Sequence, residues 1–211
     1  MRAVCFGDSN TYGYDACSLF GDRLPRKERW TDILGDLSGW EIINEGMNGR
    51  EIPTGYFLQR FWQILEGYAP IDKLFLMLGS NDILNGGYGD YHKVSKRMEE
   101  LIQYILHSRE GSKSVFSRCR ETADITIAQP QIILASPPQM RIGQEGSLGK
   151  QMEAAAEALR EEYCSLAKQY GLLYMDVGGW KIPLAYDGVH FTGDGHRLFA
   201  EKVWETAWDK V

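Results

Sequence analysis

The sequence predicts an α/β fold, a three-layer α/β/α sandwich built on a five-stranded parallel sheet. Two observations lead there. Short apolar runs alternate five times with longer amphipathic stretches, the pattern of strands joined by crossover helices. The third run, Leu74-Phe75-Leu76-Met77-Leu78, is apolar without a break, as a strand covered on both faces must be.

Each element follows from its own residues. Strands are expected over 2–6, 41–44, 73–78, 131–135 and 172–176, every one short and bounded by Gly, Pro, Asn or Asp. Helices are expected over 28–37, 56–67, 91–107, 150–170 and 194–208. The pattern is plainest in 150–170, where Met152, Ala155, Ala156, Leu159, Tyr163, Leu166 and Tyr170 recur at three- and four-residue steps. Gly171 follows at the position where a helix end takes a left-handed residue. No linker splits the 211 residues, which read as one domain, 1–211. The stretch 108–129 is a long polar insertion without a firm period, suited to a lid, an oligomer contact or a disordered excursion.

Composition narrows the function classes. With 44% hydrophobic and 25% charged residues, a disordered chain, a fibrous repeat and a disulfide-stapled miniprotein are excluded. A net charge of -6 without a long basic run argues against nucleic acid as a partner. Arg109, Lys113, Arg118 and Arg120 are interrupted by Glu110 and Glu121, the make-up of a solvated loop. Cys5, Cys17, Cys119 and Cys164 form no CxxC pair and have no His at finger spacing, so they read as thiols of a reducing cytosol. His and carboxylates show no metal-ligand spacing, and neither metal nor cofactor is expected. The start of the chain lacks a signal peptide, and no apolar run reaches membrane length, so a cytoplasmic protein without a membrane partner is expected. The one excess is glycine, 23 residues, which points to tight turns or to loops where a ligand meets backbone.

Ligands of open parallel sheets bind beyond the carboxyl ends of the strands. The segments found there are Gly7-Asp8-Ser9-Asn10, Asn44 to Gly49, and Gly79-Ser80-Asn81-Asp82, with Asp187-Gly188-Val189-His190 ahead of the last helix. Ser9, on a tight turn after a strand, can lift its hydroxyl clear of the sheet. It needs a base to become a nucleophile, and a histidine suits that task. His190 can serve if a carboxylate fixes its tautomer, and Asp187 stands three residues earlier. His196 competes with His190 but falls inside the last expected helix, where packing or capping is the better reading. Asp8 reads as a turn brace, Asp82 as a helix cap or loop brace, and His92 and His107 as surface residues without carboxylate company.

These segments resemble the blocks of the SGNH hydrolases, the GDSL-type esterase and lipase superfamily. Gly7 to Thr11 looks like the first block, Gly46 to Gly49 the second, Gly79 to Asp82 the third and Asp187 to His190 the fifth. Their order and joints span nearly the whole chain. The resemblance implies a flavodoxin-like sheet order and acyl-enzyme chemistry: Ser9 as nucleophile, His190 as base, Asp187 as the orienting acid. It also implies an oxyanion hole made of the Ser9 and Gly49 backbone N–H groups and the Asn81 side-chain amide. One position departs from the pattern, since Asn10 stands where the family's common name implies Leu.

The implied activity is a carboxylic ester hydrolase acting on a small-molecule acyl or aryl ester, arylesterase-like, with Tyr12, Trp180 and Ile182 as substrate-binding candidates near the rim. Tyr14, Pro183 and Tyr186 belong to the same apolar group. The rival readings are a carbohydrate O-deacetylase or an acyltransferase of the same fold, or a non-catalytic carbohydrate-binding relative. An α/β-hydrolase would show G-x-S-x-G, and a nucleotide-binding fold a P-loop or G-x-G-x-x-G; neither occurs. Oligomeric state stays open, with 108–129 as the natural place for a homo-oligomer contact.

Overall fold

The computed structural model describes residues 1–111 and 131–208. Five strands, β1 (Arg2–Gly7), β2 (Glu41–Gly46), β3 (Lys73–Met77), β4 (Gln131–Ala135) and β5 (Leu173–Met175), form one sheet in the order β2-β1-β3-β4-β5. Every neighbouring pair is parallel, with Gly7 opposite both Gly46 and Met77. The chain steps from β1 to β2 on one side and then to β3 on the other. This is the flavodoxin-like order, and it opens a crevice at the carboxyl ends of β1 and β3.

Both faces of the sheet are covered. Val4, Phe6, Leu74, Leu76, Ile132 and Leu134 pack toward α3 (Tyr56–Tyr68), α5 (Tyr91–Gly111) and α6 (Leu148–Tyr170). Ala3, Cys5, Phe75, Met77, Ile133 and Ala135 pack toward α2 (Trp30–Ser38) and α7 (Gly193–Val203). The alternation of strand side chains thus fills two cores, and this is why β3 carries no polar residue between Leu74 and Met77. Trp30, fully buried, anchors the second core with Phe75 and Phe199 at ring separations of 5.3 and 4.9 Å. Along α6 the buried residues are Ala155, Ala156, Leu159, Tyr163, Leu166 and Ala167, and Gly171 caps the helix in the left-handed conformation.

The elements differ from expectation mainly at their ends. β2 runs to Gly46, because Glu45 and Gly46 pair with Phe6 and Gly7 in spite of their polarity. Residues 26–28 form a 3₁₀ turn, and α2 starts at Trp30. Helix α5 continues to Gly111, so 108–111 are helical and not part of a loop; the rest of 108–129 lies outside the described residues. The last expected helix divides into α7 and a π-helical turn, Trp204–Trp208. Two helices were unexpected, α1 (Ser9–Tyr12) and α4 (Ser80–Leu84), both at strand ends where the site lies. Among the described residues no helix is long and apolar enough to cross a membrane.

Candidate active site

Ser9 opens α1 directly after β1. Asp8 caps that helix by accepting the Asn10 N–H at 3.0 Å, and Gly13 closes it in the left-handed conformation. The one-turn helix holds Ser9 rigidly against the crevice. A Cβ at Gly46 would stand 2.0 Å from the Tyr12 nitrogen, so any side chain there would force α1 to shift. The carboxyl end of β2 therefore lies directly on α1.

His190 and Asp187 reach the same point from the loop before α7. The Ser9 hydroxyl lies 2.8 Å from His190 Nε2, and His190 Nδ1 lies 2.6 Å from Asp187 Oδ2. A carboxylate has only acceptors, so Nδ1 carries the proton and Nε2 is left to accept from Ser9. Burial pushes the Asp187 carboxyl up, but the His190 Nδ1–H and the backbone N–H groups of His190 and Val189 more than offset this. The net result is a carboxyl held below its usual range and ionised at neutral pH. Tyr14 lays its ring against the imidazole, with centroids 4.6 Å apart.

The oxyanion candidates sit on adjacent strand ends. Met47 N–H donates to the Gly7 carbonyl at 3.1 Å, joining the loop after β2 to the turn that carries Ser9. The Asn81 amide donates to the Arg50 carbonyl at 3.1 Å, which leaves its second N–H for a ligand. Asp82, buried, accepts the Ile52 N–H at 3.1 Å and pairs with Arg97 at 3.0 Å. It braces the Gly49 loop and does not cap α4, whose cap position is Gly79. Arg50 lies under the loop, its guanidinium on the Gly7 carbonyl and 3.9 Å from the Phe6 ring centre. Among the described residues no backbone acceptor takes the N–H of Ser9 or of Gly49. Gly49 has φ 72° and open space where a Cβ would lie, so its backbone shape demands glycine more than crowding does.

The other histidines separate clearly. His196 is fully buried; its Nδ1 faces the Trp30 N–H at 3.4 Å, at the start of α2, and its Nε2 has no partner among the described residues. Burial, aided by His190 and Arg29, lowers its pKa to about 3, so it is a neutral packing residue. His92 does have carboxylate company, contrary to the sequence reading, because α6 brings Glu162 to 3.1 Å; both remain at the surface. His107 rests on the Gln103 carbonyl. Burial pushes Asp8 up to about 6 against the pull of the Asn10 N–H, and its part as a brace rests on that bond, which caps α1. Among the described residues no group of His, Cys, Asp and Glu side chains converges as a metal site.

Of the substrate candidates, Ile182 is buried in the α7-side core, while Trp180 is half-buried with one contact on Phe199 at 5.5 Å. Tyr12 lies under the Arg23 guanidinium at 4.4 Å. The aromatic that does meet the triad is Tyr14. A cavity of about 650 Å³ opens beside Gly49, with Met47, Ile52, Phe57, Phe61 and Ile64 in its wall.

A serine, an imidazole and a carboxylate lie in hydrogen-bonded sequence at the switch point of a parallel sheet, an arrangement able to activate a serine hydroxyl. The model of the GDSL-like lipase/acylhydrolase family matches residues 5–198, and the chain belongs to that family. Ester hydrolysis is the activity this membership brings. Solved structures agree in fold. One, from Agrobacterium tumefaciens and provisionally described as an arylesterase, is 25% identical with a TM-score of 0.78, covering 100% of this chain and 99% of its own. The aryl esterase of M. smegmatis is 24% identical, with a TM-score of 0.74 over 97% and 99% of the two chains. A carbohydrate acetylesterase family member from Sinorhizobium meliloti is 24% identical, with a TM-score of 0.75 over 96% and 94%. Among curated proteins no relative matches the sequence.

Proposed function

We propose that the protein is a serine esterase that cleaves small acyl or aryl esters through an acyl-enzyme on Ser9. The observation that carries this is the continuous chain Ser9–His190–Asp187, with spacings of 2.8 and 2.6 Å. Ser9 Oγ attacks the ester carbonyl while its proton passes to His190 Nε2. Asp187 holds the imidazole in the tautomer that can accept it and stabilises the imidazolium. The tetrahedral oxyanion meets the N–H groups of Ser9 and Gly49 and the free amide N–H of Asn81. Each such donor contributes about 2.7–4 kcal/mol to the transition state. The imidazolium protonates the leaving alcohol as the carbon–oxygen bond breaks, leaving an acyl-Ser9. Water then attacks, gives its proton to His190, and the acid departs as Ser9 recovers its hydroxyl.

The cavity beside Gly49, where Phe57, Phe61 and Ile64 stand with Glu45, Arg50 and Arg60, supports an aryl or short acyl group, since pockets of about 300–1,000 Å³ take drug-sized ligands. The free thiols of Cys5, Cys17 and Cys164 support a reducing, cytoplasmic setting. The test is hydrolysis of p-nitrophenyl acetate by wild type and by Ser9→Ala. Wild type turns the ester over and the variant, folded, does not; equal rates would remove Ser9 from the chemistry. A panel of acyl lengths and acetylated sugars then ranks the substrates.

A further inference from the structure

We propose that Asn10 is a positioning residue that sets His190 against Ser9, an inference that rests on the reading of these two residues as base and nucleophile. The Asn10 side chain spans the loop on both sides of the imidazole. Its Nδ2 donates to the Val189 carbonyl at 3.1 Å, and its Oδ1 accepts the Phe191 N–H at 2.9 Å. Those residues immediately precede and follow His190. The orientation of the amide is fixed by its partners, because a carbonyl only accepts and a backbone N–H only donates.

The clamp is itself held on the element that carries the nucleophile. Asn10 is 2% exposed. Its N–H is taken by Asp8 Oδ1 at 3.0 Å, and its carbonyl accepts the indole N–H of the buried Trp30 at 3.1 Å. Other bonds of the loop lead elsewhere: Ala185 N–H to the His190 carbonyl at 2.7 Å, and Arg141 N–H to the Gly188 carbonyl at 2.8 Å. Apart from the Ser9–His190 bond, the Asn10 pair is what hydrogen-bonds this loop to α1 among the described residues. Leucine could make neither bond and would strand the buried Phe191 N–H. Thus the residue that departs from the family's common name joins the first block to the fifth.

The experiment compares wild type with Asn10→Leu, which loses both bonds, and Asn10→Asp, which keeps the acceptor for Phe191 and loses the donor to Val189. Full pH profiles of kcat and KM on p-nitrophenyl acetate are recorded, together with thermal unfolding and the NMR resonance of the His190 Nδ1 proton. The plateau of each profile is compared, because the carboxylate introduced by Asn10→Asp shifts only the position of the limb. Asn10→Leu is expected to lose kcat by on the order of 10²-fold, as for a displacement of about an ångström at a reacting group, with KM little changed. Asn10→Asp falls between, and in both variants the Nδ1 proton resonance moves or broadens. If Asn10→Leu does not fold, Asn10→Asp decides. A wild-type plateau with an unmoved resonance overturns the proposal, as does a loss that tracks the melting temperature alone. Should wild type hydrolyse no ester, the esterase reading fails, while the resonance still decides whether Asn10 positions the imidazole.

Discussion

Replacing Gly46 by alanine tests how tightly β2 governs the nucleophile. The new Cβ would stand 2.0 Å from the Tyr12 nitrogen, 2.4 Å from its Cα and 2.5 Å from the Thr11 carbonyl carbon. All three are backbone atoms of α1, so no side chain can rotate away to make room. The helix must retreat by about an ångström to reach ordinary contact, and it carries Ser9 with it. Overpacking of this kind costs about 1–3 kcal/mol of stability. A shift of about 1 Å at a reacting group costs on the order of 10²-fold in rate. Gly49→Ala is the contrast, since its Cβ meets nothing within 4 Å and only the left-handed φ of 72° is strained, worth about 1–2 kcal/mol. Steady-state hydrolysis of p-nitrophenyl acetate and urea unfolding of both variants read the difference. Gly46→Ala should lose far more kcat than Gly49→Ala at similar stability loss. Full activity in Gly46→Ala would refute the view that β2 fixes the position of α1.

Three further outcomes are expected. Asp187→Asn keeps an acceptor for the loop N–H groups but presents an amide to Nδ1, so kcat should fall by on the order of 10³–10⁴-fold with the fold intact, read by steady-state assays and circular dichroism. His196 is held neutral with a pKa of about 3 against 6.5 in the unfolded chain. It therefore costs folding nothing above pH 6.5, and stability is lost as pH falls from there toward 3, on the order of 5 kcal/mol in all. His196→Gln should flatten the acid side of a stability–pH curve from urea unfolding; an unchanged slope would remove His196 as its source. Asp8 has the opposite sign: with a folded pKa of about 6 against 3.8 unfolded, its burial costs nothing below pH 3.8 and the full penalty, about 3 kcal/mol, above pH 6. Asp8→Asn should thus gain stability over wild type at pH 8 and match it at pH 3, with thermal unfolding as the readout.

Alternation of apolar runs and amphipathic stretches was enough to find all five strands and the long helices, because two-sided burial leaves a continuous apolar signature in strands such as β3. Motif order pointed to Ser9, His190 and Asp187, which lie in one hydrogen-bonded row. What stayed hidden was set by tertiary neighbours. α1 and α4 are four and five residues long, too short to show a period, and are defined by Asp8 and Gly79 at their caps. The burial of Ile182 and the packing of Trp180 against Phe199 of α7 come from tertiary neighbours that no local pattern shows. The partners of Asn10 lie 179 and 181 residues away, so nothing local in the sequence marks it as a clamp.

The central claim is that Ser9, activated by His190, is the acylated residue. Reaction with a fluorophosphonate followed by peptide mass mapping tests it most directly. A single adduct on Ser9, lost in His190→Ala and accompanied by complete loss of ester hydrolysis, is the predicted result. Hydrolysis that persists with Ser9 unmodified, or an adduct on another serine that abolishes activity, would contradict it.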